Sequence, residues 1–167
     1  MHCHIKKMCN FAKIKKVTMQ LNLPSYTFKV KSNPDGHRVI FDALRRRYVA
    51  LTPEEWVRQH FVRYLIEEKG FPAALMANEV SLKQNGIKRR CDTLIADSIG
   101  APLMIVEYKA PHIEISQETF DQIVRYNMVL HARYLVVSNG LNHYCCKIDY
   151  DHDDYSFLPE IPTYDAL

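Results

Sequence analysis

The sequence lacks any apolar run approaching the roughly 18 residues that a transmembrane helix requires. Near its start it also lacks the apolar stretch that marks a secretory signal. Its five cysteines are odd in number and do not follow the spacing of a disulfide framework, which favours a reducing compartment. We therefore expect a cytoplasmic protein that does not contact a membrane.

The composition is that of an ordinary globular protein, with 47% hydrophobic and 25% charged residues in a chain of 167. Its net charge of +3 is unevenly distributed, since residues 1–18 carry five lysines and no acid, whereas residues 149–167 carry six acids and no Lys or Arg. We predict that residues 1–18 are a disordered basic tail or an upstream extension. Residues 19–167 suffice for one domain, with a core at about residues 51–148.

Turn and capping signals divide the first half of this domain. Tyr26–Lys31 and Arg38–Asp42 are predicted strands on either side of an Asn-Pro-Asp-Gly turn, and Arg45–Ala50 is a candidate third strand. The sequence Thr52-Pro-Glu-Glu predicts a helix start, because it combines an N-cap, a proline in the first turn and a capping-box glutamate. We expect this helix to continue to about Lys69.

A hairpin signal follows. Asn85-Gly86 separates the runs Leu75–Gln84 and Ile87–Asp97, and Asn-Gly is the dipeptide most typical of a two-residue hairpin turn. Counting back along both strands from such a turn places Glu79 directly opposite Asp92. Directly paired residues project from the same face of a sheet, so the two carboxylates are predicted to be neighbours.

The second half predicts a layered α/β arrangement. Leu103–Ala110 is a nearly continuous apolar strand, of the kind covered on both faces. A helix is expected from Ser116 to about His131, followed by a buried strand at Ala132–Ser138 and an edge strand at Tyr144–Ile148. This order of elements indicates an α/β domain with a mixed sheet.

Two carboxylates and a lysine fall on adjacent predicted strands. Asp92 lies on the second hairpin strand, and Glu107 and Lys109 share one face of the next strand because they are two residues apart. Carboxylate oxygens are the ligands that Mg²⁺ prefers, and a lysine beside the ion can orient or deprotonate a water. The pattern indicates a centre for phosphodiester hydrolysis.

The alternative is a plain salt-bridge network, with Glu107 paired to Lys109 and Asp92 paired to an arginine. Glu107, however, follows four apolar residues on a strand that should be buried. A charge in such a place must be paired or bind a metal, because burying it alone is costly. The metal-centre interpretation is therefore the one we favour.

The next predicted helix carries Gln122 and Tyr126, four residues apart. Together with the Asp…Glu-x-Lys pattern, this Gln-x-x-x-Tyr sequence resembles the PD-(D/E)xK nuclease superfamily. More narrowly, the chain resembles the N-terminal nuclease domain of type I restriction enzyme restriction subunits, over roughly Leu51 to Cys146. The resemblance implies a restriction-endonuclease-like mixed central sheet flanked by helices in residues 19–167, with Gln122 and Tyr126 among the catalytic residues.

The resemblance also implies roles for the charged residues. Asp92 and Glu107, with the backbone carbonyl of Tyr108, would hold Mg²⁺ or Mn²⁺, and Lys109 would activate the attacking water. The predicted hairpin register adds Glu79 as a candidate third carboxylate. Its alternative role is that of a cross-strand ion-pair partner for Arg90 or Lys88.

Basic residues flank these acids. By the predicted register, Lys83, Lys88 and Arg90 lie on the same face as Asp92, where the phosphate backbone of a nucleic acid would pass. Phosphate contacts position a duplex without reading its sequence. A separate run of three arginines at residues 45–47 is interpreted as solvated charge.

The function that these patterns predict is a Mg²⁺-dependent DNA endonuclease domain, in restriction or defence. The alternatives are a non-catalytic nucleic-acid-binding or assembly module with the same fold, and a structural protein with a salt-bridge network. The sequence contains no Gly-x-x-x-x-Gly-Lys-[Ser/Thr] nucleotide-binding loop of the kind found in the motor of restriction subunits. The expected partners are therefore DNA and either a second copy of the chain or a separate motor or specificity subunit.

Overall fold

A small antiparallel sheet precedes the first long helix. The computed structural model describes residues 19–84 and 87–167. Within them, the small sheet contains β1 (Val30–Ser32), β2 (Arg38–Asp42) and β3 (Arg47–Ala50), in that order. Residues 1–18, for which a tail or an extension is expected, lie outside the described residues.

Six further strands form the central mixed sheet. They are β4 (Met76–Gln84), β5 (Ile87–Ala96), β6 (Pro102–Tyr108), β7 (Tyr134–Ser138), β8 (His143–Asp149) and β9 (Asp154–Leu158). The strands lie side by side in chain order. The β6–β7 pair is parallel and the other four pairs are antiparallel. A parallel pair needs a crossover connection, and here a helix supplies it.

Two long helices cover the two faces of this sheet. They are α1 (Pro53–Glu67) and α2 (Gln117–Leu130), and single 3₁₀ turns lie at Ala73–Leu75 and Tyr164–Ala166. Phe61 of α1 is buried in one apolar cluster with Val106, whereas Ile123 of α2 is buried in another with Ile105. Successive strand residues face opposite sides, so the helices lie on opposite faces. The predicted mixed α/β fold is confirmed.

The start of α1 follows the predicted capping pattern. The Thr52 hydroxyl accepts a hydrogen bond from the Glu55 backbone N–H at 3.0 Å, and Pro53 occupies the first turn. At the other end Gly70 adopts a left-handed conformation, with φ of 73°, and the Phe71 N–H donates to the Leu65 carbonyl. Local sequence therefore determines both ends of α1.

The hairpin register is also confirmed. Gln84 pairs with Ile87, and the same count continues through Val80 and Cys91 to the far end of the two strands. Asn85 and Gly86 themselves lie outside the described residues. Glu79 occupies the predicted position opposite Asp92, but its backbone has φ of 59°, and the residues before and after it are the ones that pair regularly.

The prediction of an edge strand at Tyr144–Ile148 is wrong. This segment is the inner part of β8, and β9 pairs outside it, with Cys146 opposite Phe157. The connecting turn contains no glycine. It is formed by the Asp149 carboxylate, which accepts the Asp151 N–H at 3.0 Å, and by Asp153, whose φ is 52°. Aspartates therefore form this turn in place of glycine, and for that reason the β8–β9 hairpin was not predicted from the acidic segment.

Two strands of the small sheet are shorter than predicted. β1 begins at Val30 rather than Tyr26, and β3 begins at Arg47 rather than Arg45. Arg46 has φ of 52°, which makes it a turn residue. Arg45 is not solvated as expected, because it forms ion pairs with Asp42 and with Glu55 at 2.6 Å. The turn between β2 and β3 is thus stabilised by charges turned toward the helix.

Among the residues that the structure describes, no helix combines the length and apolar character that crossing a membrane would require.

Gly140 provides a test of how the N-terminal segment packs on the domain. It has φ of 82°, and a Cβ there would lie 2.7 Å from Leu21 and 3.1 Å from Val57. Gly36 has the same φ but open space around it. Gly36→Ala should cost about 1 kcal/mol of unfolding free energy from backbone strain alone, and Gly140→Ala roughly 2–4 kcal/mol because overpacking is added. Equal losses in urea unfolding of the two variants would contradict this packing.

Candidate active site

Pairing between β5 and β6 brings the predicted acids together. Thr93 pairs with Val106 in an antiparallel ladder. The same register continued by one residue places Asp92 of β5 opposite Glu107 of β6. The Tyr108 backbone N–H donates to Asp92 Oδ2 at 2.8 Å and links the C-terminal end of β6 to the middle of β5. Asp92 is largely buried, and Glu107 is only 4% exposed. Two carboxylates thus share one partly enclosed position beside the C-terminal end of β6.

Glu107 is held by two of the predicted catalytic residues. Lys109 Nζ lies 3.1 Å from Glu107 Oε1, and Gln122 Nε2 donates to the same oxygen at 2.9 Å. Lys109 Nζ also lies 3.4 Å from Gln122 Oε1, which closes a three-membered polar cluster. The crossover helix α2 therefore contributes directly to the site. The Tyr126 side chain lies outside the described part of the structure, so its predicted role stays a prediction.

The side chain of Tyr108 points away from the two acids. Its ring is fully buried, and its hydroxyl donates to Thr93 Oγ1 at 3.1 Å. Burial raises the pKa of this hydroxyl well above its usual value, so it remains protonated. The side chain thus anchors the strand end, while the backbone of Tyr108 borders the site. The predicted use of its carbonyl oxygen as a metal ligand stays a prediction.

Helix α1 adds an arginine that sequence reasoning missed. Arg58 Nη2 donates to Asp92 Oδ1 at 2.9 Å, and Nη1 donates to Glu55 Oε2 at 2.7 Å. Nη1 also lies 2.6 Å from Glu79 Oε1. The arginine side chain is only 3% exposed, and its guanidinium is a buried counter-ion that three carboxylates share. The available signal was helical spacing, since Glu54, Glu55 and Arg58 lie three and four residues apart.

A second layer of hydrogen bonds supports this cluster from the small sheet. Asp42 accepts hydrogen bonds from the Leu44 N–H at 2.8 Å and from Asn78 Nδ2 at 2.9 Å. Asn78 in turn accepts from the Thr93 hydroxyl at 2.7 Å, and Thr93 accepts from the buried Tyr108 hydroxyl. The small sheet, β4, β5 and β6 are therefore linked by one polar chain directly behind the candidate site.

Glu79 has two cationic neighbours. Besides Arg58, Arg90 lies within reach, with its Nε 2.5 Å from Glu79 Oε2, and the Arg90 side chain is 66% exposed. This is the cross-strand pairing that was the alternative role for Glu79, and a third-carboxylate role stays untested. The side chains of Lys83 and Lys88 lie outside the described residues. Their backbones pair with each other in the register that was predicted.

The electrostatics indicate a site that is short of positive charge. Burial, followed by the charge of Asp92, raises the pKa of Glu107 to about 7, although Lys109 opposes the shift. Burial also raises the pKa of Asp92, despite the Arg58 guanidinium and the Tyr108 N–H. Asp92 thus makes Glu107 harder to ionise, and Glu79 has the same effect on Asp92, which is the behaviour of carboxylates that share a site. A further cation would relieve this repulsion.

The donor set has the chemistry of a site for a hard divalent cation, since both acids present oxygen. Within residues 19–84 and 87–167, no three His, Cys, Asp or Glu side chains converge in a geometry suited to a metal. Any ion here would therefore combine the two acids with backbone oxygen, water or substrate oxygen. Magnesium commonly binds through one or two carboxylates together with water and phosphate oxygens.

Comparison with known proteins identifies the family. The family model described as "Type I restriction enzyme R protein N terminus (HSDR_N)" matches residues 53–162, more than half of the chain. None of the curated proteins matches the sequence.

A solved structure shares the fold. It is a fragment of an HsdR subunit of a type I restriction enzyme from Vibrio vulnificus YJ016, with 20% sequence identity and a TM-score of 0.50. The similarity covers 69% of this chain and 24% of that chain, so the chain spans about a quarter of that structure's length.

The raised pKa of Glu107 has a consequence for stability. Between the usual value of 4.5 and about 7, the folded protein binds more protons at this carboxyl than the unfolded chain does. The unfolding free energy should therefore fall as pH rises through this window and level off above it. Glu107→Gln should flatten this fall and stabilise the metal-free protein by roughly 1–3 kcal/mol at pH 8.

The measurement is urea unfolding in EDTA at pH 5 and pH 8. Glu114→Gln is the matched control, because Glu114 is an exposed loop acid. An equal pH slope in Glu107→Gln and in the parent would show that Glu107 ionises normally.

Proposed function

Because the chain belongs to the family of type I restriction enzyme R protein N termini, we propose that its domain hydrolyses DNA phosphodiester bonds with Mg²⁺ or Mn²⁺. A restriction-related, nuclease-type domain is what the family establishes, and the hydrolytic activity is our proposal. One observation supports it most. Asp92 and Glu107 are adjacent on β5 and β6, and Lys109 and Gln122 both contact the same oxygen of Glu107.

The proposed cation ligands are Asp92, Glu107 and the backbone carbonyl of Tyr108. When bound there, the cation would act as a Lewis acid that stabilises negative charge on the phosphate and on the leaving oxygen. The orientation of Asp92 supports this assignment, because its Oδ2 is held by the Tyr108 N–H at 2.8 Å. A carboxylate fixed by the backbone is preorganised for binding, which reduces the entropy lost when a ligand binds.

Lys109 is proposed to position the water that attacks phosphorus, because its ammonium can donate a hydrogen bond to that water. Its ammonium lies 3.1 Å from Glu107 and is partly exposed, at 22%, so it is accessible to solvent on one side. Gln122 is proposed to orient this pair, since it contacts both side chains. Tyr126, one turn further along α2, is proposed to border the same site.

The nucleic acid is proposed to pass along the β4–β5 hairpin. Arg90 is the described cation there, and its exposed side chain leaves part of the guanidinium available to a phosphate. Lys83 and Lys88, which the register pairs with each other, are proposed to extend the surface toward the turn. Contacts of this kind would hold any DNA sequence alike.

The proposed partners are DNA and other subunits of a restriction-modification system. A separate motor or specificity subunit would deliver the substrate. Alternatively, two copies of this chain would be needed for double-strand cleavage, because one centre cuts one strand.

Lys109 allows binding and hydrolysis to be separated. Lys109→Ala should retain Mg²⁺ binding but reduce nicking of supercoiled plasmid by at least about a hundredfold, because the group that positions the attacking water is removed. Asp92→Asn should lose both metal binding and nicking. Lys147→Ala is the matched control, since Lys147 is an exposed lysine of β8. Normal nicking by Lys109→Ala would remove the lysine from the mechanism.

The proposed DNA surface can be tested with neighbouring arginines. Arg90→Ala should weaken binding to unrelated DNA sequences equally and lower the log–log salt slope by about one, as expected for one lost phosphate contact. Arg89→Ala should have much less effect, because Arg89 takes the alternate position along the strand. The measurement is fluorescence anisotropy with labelled duplexes in Ca²⁺. Equal losses in the two variants would contradict the proposed path.

A further inference from the structure

Arg58 contacts the candidate site through two different nitrogens. Nη1 is shared between Glu55 Oε2 at 2.7 Å and Glu79 Oε1 at 2.6 Å. Nη2 alone contacts Asp92, at 2.9 Å from Oδ1. The bond to the proposed metal ligand can therefore break while the two bonds that anchor the guanidinium remain.

A replacement acceptor for Nη2 is already in place. Glu54 Oε1 lies 3.8 Å from Nη2, four residues earlier on the same helix. The Glu54 side chain is 45% exposed, so it can move, whereas the Glu55 side chain is 7% exposed. A small rotation of the guanidinium would bring Nη2 from Asp92 to Glu54 without moving α1.

We propose that Arg58 is a resident counter-ion that a divalent cation displaces from Asp92. In the metal-free protein, Nη2 neutralises Asp92. When the cation binds, Nη2 transfers to Glu54, and Nη1 keeps its contacts with Glu55 and Glu79. This inference rests on the proposed function, because it concerns the metal affinity of the same site.

Electrostatic repulsion is the reason for the exchange. A guanidinium and a divalent ion on one carboxylate repel each other strongly in a partly buried site, where screening is weak. Asp92 does not lose its orientation when Arg58 withdraws, because the Tyr108 N–H still holds its other oxygen. Arg58 therefore stabilises the metal-free protein and weakens metal binding, so the two properties should change in opposite directions when it is replaced.

The test measures Mg²⁺ binding by calorimetry and thermal unfolding in EDTA and in saturating Mg²⁺. Arg58→Met should lower the melting temperature in EDTA, tighten the Mg²⁺ dissociation constant on the order of tenfold, and gain more stability from Mg²⁺ than the parent. Arg58→Lys should give an intermediate result, because a single ammonium cannot bridge all three acids. Arg63→Met is the matched control, since Arg63 lies on the same helix and pairs with the exposed Glu67.

A second variant keeps the test decisive if Arg58→Met does not fold. Glu54→Gln removes the acceptor that Nη2 is proposed to use, and it should weaken Mg²⁺ binding several-fold. Glu54 also attracts a cation directly, so the same substitution is repeated in the Arg58→Lys background. A smaller effect of Glu54→Gln in that background supports the exchange, because the two residues are then coupled. Equal effects in both backgrounds would overturn it.

The outcomes separate this inference from the proposed function. If the parent binds Mg²⁺ and neither Arg58→Met nor Arg58→Lys binds it more tightly, the exchange is overturned, whereas the proposed metal centre is not. Binding by the Arg58 variants but not by the parent would support the exchange in its strongest form. No binding by any variant would overturn both proposals.

Discussion

The Arg58 guanidinium is the interaction on which the rest of the site depends. It joins α1 to β4 and β5 through Glu55, Glu79 and Asp92, and it is almost entirely buried. Burying a charge is costly unless its partners compensate for the loss of water. Removing one partner therefore leaves a buried charge that is not compensated. The Arg58 side chain therefore helps to hold α1 against the sheet and opposes the rise in the pKa of Asp92 that burial causes.

The site is stable but electrostatically incomplete. Burial and the charge of Asp92 outweigh the opposing charge of Lys109, so the pKa of Glu107 rises to about 7. Such a shift, caused by burial and by a neighbouring acid, is typical of functional sites as well as of structural ion-pair networks. The family relationship favours the functional explanation. Under the proposed function, the repulsion between Asp92 and Glu107 would favour the binding of a cation at the site.

Local sequence signals determined much of the framework. The capping sequence at Thr52 and the left-handed Gly70 set the ends of α1, and Asn85-Gly86 predicted a register that the β4–β5 pairs confirm. The alternation of strand residues placed Glu107 and Lys109 on one face. These features could be predicted because each depends on the conformational preferences of a few consecutive residues or on the fixed twofold period of a strand.

Tertiary structure decided the rest, because the partners are distant in sequence. Arg58 meets Asp92 across 34 residues, and Gln122 meets Glu107 across 15, in pairings that no local pattern specifies. The strand β9 was not predicted, because aspartates rather than glycine form the turn that precedes it. Sequence alone thus determined most of the elements and the candidate acids. Folding determined which counter-ion each acid receives, since the electrostatic cost of burial is settled only when separate elements pack together.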